Sequence, residues 1–174
     1  MKKAAWVVFF LVLLWAILWL WQQPAAQSQR VDGWSDMIAV EDIVKMTIQK
    51  QADKKITLTL QQGKWRLSNG DLAVQDAALR LLDDLTGMQV IRLVTRKHDY
   101  DADLGLLHRG VEVRCLDAQG VVLLDVMVGK QGSDLLSTYV RRVGDDAIVA
   151  VDKALVWQVR RGRKAWASAV KVNP

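Results

Sequence analysis

Cysteine is almost absent from this 174-residue chain: Cys115 is the only one, which excludes an intramolecular disulfide and a cysteine-built metal cluster. Histidine is nearly as scarce. His98 and His108 stand ten residues apart, with no third ligand at a recognisable spacing beside them. Charge is missing from two stretches, with different consequences. Ala4 to Trp21 holds no charged residue, and residues 153–174 hold no acid. The formal net charge of +5 therefore divides by position. Met1 to Lys3 carries +2, residues 4–152 carry sixteen cations against nineteen acids, and residues 153–174 carry six cations. An isoelectric point near 9.5 thus describes two ends rather than a basic domain, which argues against a domain-wide nucleic-acid interface.

The uncharged stretch is long enough to matter. At a rise of about 1.5 Å per residue, its eighteen residues cover roughly 27 Å as a helix, close to the hydrocarbon thickness of a bilayer. It carries four of the eight tryptophans, Trp6, Trp15, Trp19 and Trp21, the last two placed as an interfacial belt. Lys2 and Lys3 precede it, and no cation follows until Arg30. The expected topology is a single-pass membrane protein, with its N-terminus in the cytoplasm and its main domain on the far side of the bilayer. A cleaved signal peptide is the rival reading, although the apolar run is longer than the usual core of about 7–15 residues. No cysteine follows the run, which excludes lipoprotein processing, and no glutamate heads it as in a pilin. The expected organisation is an anchor over 1–21, a polar linker over 22–33 and a domain over 34–174.

Within the domain the hydrophobic period changes repeatedly. Residues 43–48 and 56–60 alternate as strands around a polar turn at 51–55, and 63–67 forms a further short strand. Val74, Ala77, Ala78, Leu81, Leu82, Leu85 and Met88 recur at helical spacing, with Gly87 as a stop and Asp71 or Asp76 at the dipole's positive end. Residues 90–95 return to strand. Val111, Val113 and Cys115 share one face of the next strand, and Gly120 stands where a turn needs positive φ. Residues 121–128 are apolar on both faces apart from Asp125, the mark of a central strand. A hairpin over 139–151 and a weakly helical 153–167 complete an α+β fold: antiparallel sheet with one main packing helix.

In order, the chain shows a G-x-W-x-L strand (Gly63, Trp65, Leu67), a leucine-rich helix and a GL element (Gly105-Leu106). After these come a hairpin ending in VG (Val128-Gly129), a YVR strand (Tyr139-Val140-Arg141) and a V-x-V strand (Val149, Val151). This pattern, over roughly residues 43–155, resembles the domain-of-unknown-function 4340 family of membrane-anchored bacterial envelope proteins. The chain departs from it in having Leu104, not an aromatic, before Gly105, no proline in the loop after Leu67, and a single domain unit. The resemblance implies no catalytic residue. It implies an accessory role beside envelope machinery such as ABC-type transporters or gliding-motility components.

The polar residues bring few chemical candidates. Asp99, Asp101 and Asp103 open like a calcium loop, but Leu104 stands where glycine is needed and Gly110 where the bidentate glutamate belongs. Cys115 reads as a small buried hydrophobe, and Gly129 to Ser133 as a flexible turn lacking the spacing of a nucleotide loop. No catalytic residue, cofactor or metal is expected. The most suggestive cluster is Trp157, Arg160, Arg161, Arg163, Lys164 and Trp166, a surface for a partner protein or the lipid bilayer, or else a solvated helix face. The expected function is a non-catalytic, membrane-anchored scaffold or accessory subunit of an envelope complex of transport, secretion or motility type. A periplasmic domain binding a lipid or small ligand is the alternative. A hydrolase using His98, His108 and the aspartates stands third.

Overall fold

A computed structural model describes residues 38–50 and 55–169. The anchor with its four tryptophans, the linker and residues 51–54 of the expected polar turn lie outside the described residues. No helix among the described residues is long and apolar enough to cross a membrane.

The described chain folds into one eight-stranded antiparallel sheet with few helices. Its strands are β1 (Lys45–Lys50), β2 (Ile56–Gln61), β3 (Lys64–Leu67), β4 (Val90–Thr95), β5 (Val111–Leu116), β6 (Val122–Gln131), β7 (Thr138–Arg142) and β8 (Ile148–Val151), in spatial order 3-2-1-5-6-7-8-4. Helix α1 (Gln75–Thr86) leaves β3 at one edge and delivers the chain to β4 at the other. Two single-turn helices, α2 (Val156–Val159) and α3 (Arg163–Trp166), follow β8.

The alternation read from the sequence sets which side chains face α1. Val111, Val113 and Cys115 of β5 are buried, and they join Met46, Leu58, Leu124, Val126 and Val140 beneath the helix's Leu81, Leu82 and Leu85. Each fully buried leucine contributes about 1.5–3 kcal/mol of transfer free energy. A smaller cluster of Leu106, Tyr139, Ile148 and Ala150 lies apart from this core, with Leu104, Val94 and Met127 packed against it. β8 is the strand buried along its whole length, since its residues divide between the two clusters. β6 is central as expected, though its first residue, Val122, is exposed and Asp125 pairs with Arg114 on the neighbouring strand.

Two glycines let the segment 98–110 lie close against the sheet. A Cβ on Gly129 would meet the Leu104 carbonyl oxygen at 2.4 Å, and one on Gly110 would meet the Met127 sulfur of β6 at 2.7 Å. Lys130 N–H donates to that same Leu104 carbonyl at 2.9 Å. Gly129 to Gln131 are therefore strand rather than the flexible turn expected there, and only the residues beyond them turn. Gly120 adopts φ +82 in the β5–β6 turn, as its position required.

Of the two acids expected at the start of α1, Asp76 takes the position, while Asp71 sits in the preceding turn against Asn69. Val74 is the helix's N-cap and supplies no side-chain bond. Gln75 instead turns back onto the edge strand. Its Oε1 accepts from Trp65 N–H at 2.7 Å, and its Nε2 donates to the carbonyls of Trp65 at 2.9 Å and Ala73 at 2.7 Å. One amide side chain thus ties the helix to β3.

Candidate functional site

The chain after β8 is held by a buried hydroxyl. Thr138 Oγ1 donates to the Lys153 carbonyl at 2.6 Å and accepts from Leu155 N–H at 3.0 Å, which places α2 against the sheet. Gln158 then reaches Asp84 on α1, donating from Nε2 at 2.5 Å. The segment around α3 is stitched to the residues before α1: Val74 N–H donates to the Trp166 carbonyl at 2.9 Å, and Ser168 N–H to the Leu72 carbonyl at 2.8 Å. The described part of the basic segment thus packs against the domain.

This stitching divides the six residues singled out in the sequence. Trp166 is only 1% exposed and belongs to the core, so it is no surface residue. Trp157 is 51% exposed. Between the two indoles lies Arg161, its guanidinium carbon 5.7 Å from the Trp157 ring centre and 5.4 Å from that of Trp166. Such stacking is worth about 0.5–1 kcal/mol at an exposed site and holds the arginine in one place. The other cations diverge. Arg160 donates to the Arg109 carbonyl at 2.9 Å, Arg163 reaches Ser68 Oγ at 3.3 Å, and Lys164 is exposed.

Trp157, Arg161 and Trp166 form one wall of a cleft of about 180 Å³, and α1 closes it with Asp76 and Arg80. Arg80 was not singled out in the sequence, and Asp76 only as an acid at the start of the helix. The signal that could have found them is their i, i+4 spacing on the outer face of the helix, opposite the leucine stripe. With its tryptophan rim, two guanidiniums and one carboxylate, the cleft can hold a planar or anionic side chain at its surface. Its volume falls below the roughly 300–1,000 Å³ typical of sites that enclose a small molecule.

The histidine and aspartate candidates take up a different arrangement. His98 begins a single 3-10 turn (His98–Tyr100), and Asp101 follows it, buried at 4% exposure. Arg141 from β7 donates to Asp101 Oδ2 at 2.6 Å. His98 lies 3.3 Å from the same carboxylate through Nδ1 and 3.0 Å from Asp146 through Nε2, with Arg141 3.0 Å from Nδ1. The hydrogen bond to Asp101, then that to Asp146, raises the His98 pKa above its ordinary value. Protonated, the ring donates to both carboxylates. Neutral, with its proton on Nε2, it accepts from Arg141 at Nδ1.

Asp99 and Asp103 are exposed and share none of these contacts, and His98 is partnered by Asp101, Asp146 and Arg141 rather than by His108. Alternate residues of a tight turn point to different sides, so the three aspartates do not converge as calcium ligands would. No group of three or more His, Cys, Asp or Glu is placed to hold a metal ion among the described residues. Burial pushes the Cys115 thiol up to about 12, which leaves almost no thiolate at neutral pH.

No family model matches the chain, and no curated protein or solved structure matches it. Gly105 and Leu106 pack against Gly129 and Lys130.

Proposed function

We propose that this chain is a membrane-tethered, non-catalytic accessory or scaffold subunit of an envelope assembly of transport, secretion or motility type. In this reading residues 1–21 anchor it in the bacterial inner membrane and the described domain works in the periplasm. The observation that carries the binding role is the half-exposed Trp157 stacked on Arg161 at the rim of a shallow cleft. Tryptophan and arginine dominate the energetics of protein contacts, and an indole held by a cation loses little freedom when a partner covers it. Three of the groups able to do chemistry are committed elsewhere. The Cys115 thiol is buried in the sheet, Asp101 is paired with Arg141, and His98 bridges two carboxylates. The small cleft favours surface docking over enclosure of a lipid.

Gentle solubilisation of the full chain at native expression, followed by sizing, tests the assignment. Migration with other membrane proteins in a complex larger than the monomer is expected. Recovery as monomer alone contradicts it.

A further inference from the structure

The most exposed apolar residues described are two neighbours, Leu135 and Leu136, at 68% and 73%. They sit in the β6–β7 turn, and the turn is braced to present them. Asp134 Oδ1 accepts from Leu136 N–H at 3.1 Å, Ser137 N–H at 2.9 Å and Ser137 Oγ at 2.7 Å. Gln131 Nε2 donates to the Leu135 carbonyl, and Leu135 takes the left-handed φ of 61°. A non-glycine residue adopts that conformation only where its surroundings impose it. The two leucines are therefore displayed on a stiff turn, at a standing cost in exposed apolar surface.

The sheet register puts cations around this tip. Lys130 precedes it on β6, and Lys153 lies at its base, where its carbonyl accepts from Thr138. Arg109 precedes β5 at the same end, since Val111 pairs with Val128, and Arg160 reaches its carbonyl. The acids here, Asp134 and Asp152, accept from backbone N–H groups, Asp152 from that of Gln89. Such bonds favour the ionised form of a carboxyl group, so the four cations Lys130, Lys153, Arg109 and Arg160 stand against two anions. An apolar tip at an end of the sheet with an excess of cations matches an anionic bilayer surface: the leucines enter the interface and the cations meet lipid phosphates. The tether permits it. Residues 22–37 can span at most about 53–58 Å, more than the roughly 33 Å length of the ten-residue β6.

We infer that the β6–β7 turn, led by Leu135 and Leu136 and flanked by Lys130, Lys153 and Arg109, dips into the headgroup region of an anionic phospholipid bilayer. The domain is then seated in one orientation, and the Trp157 cleft is left for a protein partner. This rests on the membrane-tethered reading above.

The test is a Leu136→Cys substitution in the full chain, labelled with an environment-sensitive fluorophore. Cys115, with its thiol at about 12, stays unlabelled. The protein is reconstituted into phosphatidylglycerol-containing vesicles and, separately, into pure phosphatidylcholine vesicles. The expected result is blue-shifted, intensified emission in the anionic vesicles, reversed by high salt. Adding Lys130→Gln and Lys153→Gln is expected to weaken the contact about fivefold per cation removed. Water-exposed emission in both lipids overturns the inference, as does an equal shift in both or a shift that follows the protein-to-lipid ratio, the mark of a protein contact. A carbonate wash separates the two readings. Protein that stays on the vesicles with an exposed probe refutes the inference alone; protein that washes off refutes the tether and the inference together.

Discussion

The two apolar clusters of this domain are built on different terms. Under α1 the strands present a broad cluster drawn from β1, β2, β3, β5, β6, β7 and β8, closed by leucines at helical spacing. The second cluster packs Leu106 of the segment 98–110 on Tyr139, Ile148 and Ala150, and the segment is held by the close fit at Gly129 and by the Asp101–Arg141–His98 contacts. The first cluster relies on area removed from water, the second on geometry and charge. The first should thus set the global stability with little dependence on pH, and the second should respond to pH and open locally.

The largest effects are expected from direct attacks on each cluster. Leu82→Ala, at a fully buried position, should cost about 2–5 kcal/mol in denaturant unfolding, at every pH alike. Arg141→Met strands the buried Asp101 carboxylate and should cost about 3 kcal/mol, near the lower bound for breaking a buried pair, because Arg141 keeps some solvent contact. Hydrogen exchange in this variant should rise first over residues 98–110. Equal loosening beneath α1 would break the distinction between the clusters. Gln75→Ala leaves the Trp65 N–H unpaired at the edge strand and should cost about 1–3 kcal/mol.

The smallest effect carries the sharpest sign. His98 has a raised pKa in the folded state, so its contribution is fully present below the unfolded value of about 6.5 and disappears as pH rises through the folded value. Denaturant midpoints should fall modestly between pH 5 and pH 9, and His98→Gln should remove that slope. An unchanged slope in the variant would assign the pH response to other groups.

How much of this was legible in the sequence follows the distance over which each feature is encoded. The alternation at Val111, Val113 and Cys115, the helical spacing of Leu81, Leu82 and Leu85, and the positive φ at Gly120 are local, and the sequence displays them directly. The pairing of β4 with β8 joins residues some sixty apart, and Arg141 meets Asp101 across forty positions. No local pattern announces either. Trp166 looked like a surface aromatic among cations. It is buried because residues 166–168 bond to the backbone at 72–74, a partner that the basic stretch alone does not reveal. Asp99, Asp101 and Asp103 looked alike at alternate positions, yet only Asp101 is buried. Of the candidate surface, Trp157 and Arg161 were legible as a tryptophan and an arginine four apart, whereas Asp76 and Arg80 join them only once α1 packs alongside.

The central claim, that the domain works by binding through the Trp157 rim, is tested most directly by the Trp157→Ala substitution in the full chain. Size and composition are measured after gentle solubilisation, beside a denaturant midpoint. The expected result is loss of the larger complex with the midpoint nearly unchanged, since the indole is half exposed. A complex that persists undiminished in the variant would contradict the claim.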